Sequence, residues 1–248
     1  MRAYDFLEVA PGAWACISNS GAGSLGNAGI VEVDGRTIVF DTGLTVRAGQ
    51  ALRDAAEQIA PVGCALVSHW HADHTVGAAA FGDVPVISTT TTRRLVDERA
   101  RANLERFRTM DRETYFREAE PAEAADLRVL EQELGEVDLR LPDLCFQNDL
   151  RFYGVRERLE LVAQGGGHTE SDALLGVETD SERVVFAGDL VVDDEPWSDG
   201  GNVEDWLRAL DWIERFDPSV IVPGHGGIRT IQDVRALRDD VQKLRTAA

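Results

Sequence analysis

The chain has 248 residues, 44% hydrophobic and 28% charged, which is enough apolar material for a sizeable core and excludes a disordered tail. Its 44 Asp and Glu outnumber 25 Lys and Arg, for a formal net charge of −19. That excess argues against binding to DNA, RNA or anionic lipid, because phosphates are drawn to clusters of Lys and Arg.

Short strands are expected at Phe6–Val9 and Trp14–Ile17. Next come Gly29–Val33 and Arg36–Phe40, two β-branched runs separated by Asp34-Gly35, the strongest short signal of a hairpin. Residues 46–60 have the pattern of an amphipathic helix, Cys64–Val67 of a buried strand and Val84–Ile87 of a short one, with helix resuming near Thr92. From Arg93 to Arg140 the chain holds 13 acidic and 10 basic residues and few β-branched ones after Val96. This stretch reads as two or more solvated helices broken at Pro121, a surface insertion in the first instance or else a helical cover over a cleft. Strand patterning returns at Leu150–Tyr153, Leu159–Val162, Ala173–Val177 and Arg183–Phe186. A helix at 203–216 turns Trp206, Leu210 and Ile213 to one side, Val220–Val222 is a strand, and a last helix runs from about Ile228. With no linker rich in Pro, Gly or Ser and no repeat, one domain spanning 1–248 is expected.

Cys16, Cys64 and Cys145 are too few and too scattered for a disulfide framework or a metal knuckle, and read as ordinary thiols. The N-terminal segment has no continuous apolar stretch, and no run approaches the ~18 apolar residues of a membrane span. A cytoplasmic protein without membrane partners is the expectation.

Gly21-Ala22-Gly23-Ser24-Leu25-Gly26 matches GxGxxG, but it feeds a hairpin strand where a dinucleotide site requires the glycines to open a helix. It reads as a flexible loop. The histidines carry more. Three of the five fall in His69-Trp70-His71-Ala72-Asp73-His74, directly after a buried strand. In an extended segment His69 and His71 point to the same side and can grip one ion. Asp73 and His74 should follow in a loop, free to turn to a second. His168 follows three glycines, His225 lies in Pro223-Gly224-His225-Gly226-Gly227 after a strand, and Asp189 follows the strand ending at Phe186. Imidazole and carboxylate are ligands suited to zinc, iron or manganese.

The run HxHxDH at 69–74, then Gly-His168-Thr, Gly-Asp189 and Pro-Gly-His225-Gly, in that order, resembles the metallo-β-lactamase-fold hydrolase superfamily. The likeness spans about Asn27 to Gly227. It implies an αββα four-layer sandwich with the metals at one edge, between the ends of two sheets. It implies that His69, His71 and His168 hold one divalent ion and Asp73, His74 and His225 a second, with Asp189 bridging and Asp41 supporting the metal loop. In true β-lactamases the position of Asp189 is typically Cys or Ser; an Asp marks the glyoxalase II, lactonase and phosphodiesterase-like branches. Asp189 and His225 are 36 positions apart, without room for the large domain that RNA-processing relatives insert. The 23 residues after His225 are short of glyoxalase II's helical extension. The lactonases' Tyr after the bridging Asp has no counterpart, since the tyrosines are Tyr4, Tyr115 and Tyr153. The resemblance is thus to glyoxalase II-related hydrolases of unassigned substrate.

The implied chemistry is hydrolysis of a small ester, thioester or lactone by a water shared between two metals, with Asp73 orienting it and passing on its proton. Trp70 and Trp197 are candidates for substrate contact. A mononuclear or dinuclear iron redox enzyme and a phosphodiesterase of the same fold are the alternatives. A small-molecule substrate and no nucleic acid are expected, and nothing in the sequence sets an oligomeric state.

Overall fold

The computed structural model describes residues 1–135, 137–192 and 195–247, apart from the side chains of 245–247. Strands β1 (Tyr4–Ala10) and β2 (Ala13–Ser18) pair antiparallel, and the glycine-rich loop leads into β3 (Ala28–Val33). Asp34 and Gly35 both have positive φ, 47° and 76°, the backbone of a tight turn whose twist matches that of paired strands. They join β3 to β4 (Arg36–Phe40) antiparallel, as expected from the Asp-Gly pair.

Helix α1 (Val46–Ile59) is capped by Thr45, whose hydroxyl accepts the Ala48 N–H at 3.1 Å. It crosses over to β5 (Val62–Leu66), which lies parallel to β4. After the short helix α2 (Ala72–Thr75) and a 3₁₀ turn at Val76–Phe81, β6 (Val86–Thr89) extends the sheet. Four helices follow: α3 (Thr90–Leu95), α4 (Arg101–Thr109) after a π turn at Val96–Ala100, α5 (Arg112–Glu118) and α6 (Pro121–Glu133). Then β7 (Leu144–Phe146), which sequence patterning did not signal, closes a seven-stranded sheet of order β1-β2-β3-β4-β5-β6-β7. The second sheet holds β8 (Asp149–Tyr153), β9 (Arg158–Ala163), β10 (Ala173–Glu178), β11 (Arg183–Phe186) and β12 (Val220–Val222). Its order is β12-β11-β10-β9-β8, with helix α7 (Val203–Phe216) as the crossover between parallel β11 and β12. Helix α8 (Ile231–Ala247) ends the chain.

Apolar alternation decides how these pieces stack. Val31, Phe40 and Leu66 of the first sheet meet Leu159, Leu175, Val184 and Phe186 of the second in a central core. On the far side of the first sheet, Leu52 and Ala56 of α1 cover Ile30, Val39 and Ala65. On the far side of the second, Trp206, Leu210 and Ile213 of α7 and Val234 of α8 cover Leu174, Val185 and Ile221. The result is a four-layer αββα sandwich, and among the described residues no helix is long and apolar enough to cross a membrane.

The stretch 93–140 is more than a solvated surface. Pro121 opens α6 in its first turn, where its missing N–H costs nothing. Leu104, Phe107, Phe116 and Leu130 bury a separate core together with Leu44, Trp70 and Val76 from the metal-loop side. Charge counting concealed this because one apolar residue per turn suffices to line the inner face of a helical cap.

Candidate metal centre

All five histidines converge where the ends of β4, β5, β11 and β12 meet. His69, His71, His168 and Asp189 each offer one ligand atom within 4.8 Å of the others, and so do Asp73, His74 and His225. The local backbone differs from the sequence expectation. His69 to His71 run through a bend, and Asp73 and His74 lie on α2 where a loop was expected. His71 caps that helix in extended geometry, the Thr75 hydroxyl donates to the His71 carbonyl at 2.9 Å, and Asp73 sits in the first turn, where a carboxylate suits the helix dipole. One tight helical turn thereby separates His71 from His74 and lets each face its own group.

Hydrogen bonds fix which ring nitrogen each histidine leaves bare. Asp41, at φ 62°, accepts the Ser68 N–H at 2.8 Å on Oδ1, and the Ser68 hydroxyl at 2.9 Å and His74 Nδ1–H at 2.9 Å on Oδ2. Because a carboxylate only accepts, the single Ser68 hydroxyl proton goes to Asp41, and Ser68 Oγ in turn accepts from His69 Nδ1–H at 2.9 Å. His69 and His74 are left with a bare Nε2. His168 donates Nδ1–H to the Trp197 carbonyl at 2.8 Å, and His71 Nε2 faces Asp199 Oδ2 at 3.4 Å. That leaves His168 Nε2 and His71 Nδ1 both bare and 3.1 Å apart, a crowding of two lone pairs that one cation beside them would relieve.

Asp189 stands between the groups. Its Oδ2 lies 3.3 Å from His168 Nε2 and 3.6 Å from His69 Nε2. Its Oδ1 lies 3.2 Å from His74 Nε2 and 3.4 Å from His225 Nε2. Asp73 Oδ2 is 3.2 Å from both His74 Nε2 and His225 Nε2. Despite this crowding, His69 Nε2, His74 Nε2 and Asp189 Oδ1 are buried and make no hydrogen bond. Buried polar atoms are seldom left so. Atoms aimed at common points rather than at each other fit divalent ions, and the donor set of imidazole and carboxylate suits zinc, iron or manganese.

The electrostatics agree. Burial pushes His69 well below the usual imidazole range and lowers His71 too, with neighbouring histidines adding to it, so both are neutral donors. Burial also acts on His74 and His225, but the facing carboxylates outweigh it, raising His74 well above its ordinary value and His225 to about 10. Asp73 and Asp189, which burial alone would raise, are held well below the carboxylate range by His74 and His225. The centre is built for positive charge, which protons or divalent ions can supply.

Around the centre opens a cleft of about 610 Å³. Trp197, 60% exposed, lines it and stacks on His71 with ring centroids 5.8 Å apart. Of its loop, residues 193 and 194 lie outside the described residues. Trp70 is 3% exposed, packs in the core beneath the helical cap, and does not line the cleft. Helix α6 forms one wall, so the helical stretch does border the site. The GxGxxG loop also belongs here: a Cβ on Gly26 would come within 3.1 Å of Asp73 Oδ2 and His74 Nε2, so a residue without a side chain lets β3 begin beside the ligands.

Four further residues support the seven candidate ligands. Asn27 Nδ2–H donates to the carbonyls of Pro223 at 3.0 Å and Gly226 at 2.9 Å, pinning the turn that carries His225. Asp172 accepts the N–H of Gly167 and of Thr169, each at 2.9 Å, and shapes the turn that carries His168. Ser68 and Asp199 set the ring orientations of His69 and His71. Only Ser68 stands next to a ligand in the chain. Asn27 and Asp199 reach partners 196 and 128 positions away, and Asp172 sits in the turn four positions after His168.

Comparison with known proteins agrees with the fold. The family described as the metallo-beta-lactamase superfamily matches residues 21–225. No curated protein sequence matches the chain. Among solved structures, a metallo-beta-lactamase from Pontibacter korlensis has 19% identity and a TM-score of 0.69, over 96% of this chain and 99% of that one. One from Hirschia baltica has 16% identity and a TM-score of 0.67, over 96% and 97% of the two chains. The metallo-beta-lactamase FIM-1 from Pseudomonas aeruginosa, in a mono-zinc form, has 16% identity and a TM-score of 0.68, over 97% and 96%. At such identities the likeness is one of fold.

Proposed function

The chain belongs to the metallo-beta-lactamase superfamily of metal-dependent hydrolases, and from that premise we propose that it uses two divalent ions to hydrolyse a small ester, thioester or lactone. The branch it fits is the glyoxalase II-related one. Zinc is the foremost ion, and iron or manganese suit the same donors. The observation that carries the reading is Asp189, which turns one carboxylate oxygen toward each ligand group. A carboxylate so placed offsets the repulsion between two dications, a task a Cys or Ser would perform less well.

When bound, the ions supply Lewis acidity and water acidified toward neutral pH. The protein's own groups do the rest. Asp73 remains ionised at neutral pH because His74 and His225 face its Oδ2, so it can orient the attacking water and accept its proton. His69, His71, His74 and His168 are held in single tautomers by Ser68, Asp199, Asp41 and the Trp197 carbonyl, which removes the reorganisation that free rings would need. Ser68 is no nucleophile in this scheme, since its proton is committed to Asp41. The substrate is a small molecule rather than nucleic acid, for the cleft is bordered by α6 and the protein's charge of −19 repels polyanions.

The test joins metal analysis with a substrate panel. Close to two ions per chain are expected, with aryl esters, thioesters and lactones ahead of bis(nitrophenyl) phosphate in kcat/KM. Asp189→Ala should drop to about one ion and lose at least ~100-fold in rate. A panel led by the phosphodiester, or one tightly held iron per chain with no hydrolysis, refutes the proposal.

A further inference from the structure

The wall of the cleft has a chemistry of its own. Besides the ligands Asp73 and Asp189, four carboxylate residues line it: Glu120, Glu123 and Asp126 from the start of α6, and Glu195 from the loop after Asp189. Among the described residues no arginine or lysine lines it, although the chain carries 25. None of the four joins an ion pair among the described residues, while acids elsewhere on the same helical stretch are matched, as Glu133 is by Arg47 and Glu131 by Arg112. Among the described residues the Glu123 carboxylate accepts only the Tyr115 hydroxyl, at 3.1 Å. Asp126, 1% exposed, accepts the Gly23 N–H at 2.6 Å on Oδ1, and its second oxygen has no hydrogen-bond partner among the described residues. Burying a carboxylate without a cation is costly, and Asp126 is among the residues that line the cleft.

A second feature points to the same ligand chemistry. Trp197 presents an indole that is 60% exposed, on the same cleft. An accessible aromatic face among unpaired carboxylates is the combination that attracts an organic cation, above all a quaternary ammonium, which is weakly hydrated and favours contact with an aromatic ring. The six carboxylates of the cleft also outnumber the four positive charges of two divalent ions, so the wall stays attractive to a cation with the centre filled.

We propose that the substrate is an ester, thioester or lactone with an organic cation in its tail, held by Trp197 and the wall of Glu120, Glu123, Asp126 and Glu195. This rests on the hydrolase reading and sharpens it. The scissile carbonyl lies at the metal ligands, and the ammonium end lies along the start of α6. A neutral tail of the same shape gains nothing from the wall, and an anionic tail is repelled by it.

Two isosteric esters isolate the charge: 4-(2-(trimethylammonio)ethyl)phenyl acetate and 4-(3,3-dimethylbutyl)phenyl acetate, in which two methylenes insulate the leaving phenol from the charge, assayed on the metal-loaded protein at low salt. The cationic ester should lead in kcat/KM by about tenfold, an advantage that shrinks as salt screens the wall. In the triple variant E120Q/E123Q/E195Q the ratio of the two esters should fall to within about twofold, the neutral ester serving as the reference within each protein. Calorimetric binding of phenyltrimethylammonium, which cannot react, should weaken at least fivefold in the same variant. If the native protein turns over both esters with a ratio near or below one, the cation proposal is overturned and the hydrolase reading stands. If neither ester is turned over, the ester reading fails, and phenyltrimethylammonium binding alone decides: loss in the triple variant upholds the cation wall, and no binding or unchanged binding overturns it.

Discussion

At the scale of single residues, the centre is a lesson in buried acids doing different jobs. Asp41 accepts three hydrogen bonds, from the Ser68 N–H and hydroxyl and from His74 Nδ1–H, so both its oxygens are satisfied where they sit. Asp172 accepts as many donors, but burial outweighs them and the pull of His168, and pushes its carboxyl up to about 6. A carboxyl whose folded value lies above its unfolded value of 3.8 contributes stability that is fully present below pH 3.8 and is lost as the pH rises through about 6. By linkage, holding it ionised near pH 8 costs the fold roughly 3 kcal/mol. Asparagine can keep both backbone N–H bonds on its oxygen and turn its amide toward the Thr169 hydroxyl. Asp172→Asn should therefore gain on the parent protein as pH rises. The melting temperature of the variant minus that of the parent, measured from pH 5 to pH 8 with metal present, should climb by several degrees. A flat difference would show that burial does not set this carboxyl.

At the scale of elements, the metal loop is held by a close approach of backbones. Gly77, in the 3₁₀ turn after α2, donates its N–H to the Gly43 carbonyl at 2.9 Å. A Cβ there would run into the Thr42 carbonyl and come within 3.0 Å of the Gly49 Cα on α1. The Thr42 N–H and hydroxyl donate to the His74 carbonyl at 3.1 and 2.8 Å, so the same contact aligns α2 with the turn that bears Asp41. Gly77→Ala should cost ~1–3 kcal/mol by overpacking, a fall in melting temperature of about 2–12 °C for a chain of this size. It should also lower metal affinity, because α1 and α2 must part to admit the methyl. A stable variant with full metal content would mean that the turn relaxes independently of the site.

At the scale of the whole molecule, the metal centre ties the two sheets together. His69, His71 and His74 follow β5 of the first sheet, Asp189 follows β11 and His225 follows β12 of the second. Ions held between them stabilise the sandwich by mass action, about 4 kcal/mol at a thousandfold excess over Kd. Chelation should therefore lower the melting temperature by about 10 °C, and two equivalents of zinc per chain should restore it. Restoration complete at one equivalent would show that a single ion joins the sheets.

The sequence by itself determined a good deal. The Asp-Gly hairpin, α1, α7 and most strands are local patterns, legible because turn geometry and apolar period act within a few residues. The histidine run, with His168, Asp189 and His225 each at a strand end or glycine turn, made all seven ligand candidates readable, because metal ligands are chemically rare and leave little else to explain them. What only the tertiary structure decided was which groups face one another. Asn27 reaching Pro223, Asp199 reaching His71 and α6 walling the cleft are contacts across some 50 to 200 positions of chain, set by the stacking of two sheets and invisible to any local period. It also separated the two tryptophans. Trp70 neighbours the ligands in sequence yet packs under the cap, while Trp197 is largely exposed in the cleft with His71 stacked on it, because burial depends on what the other layers bring to a side chain.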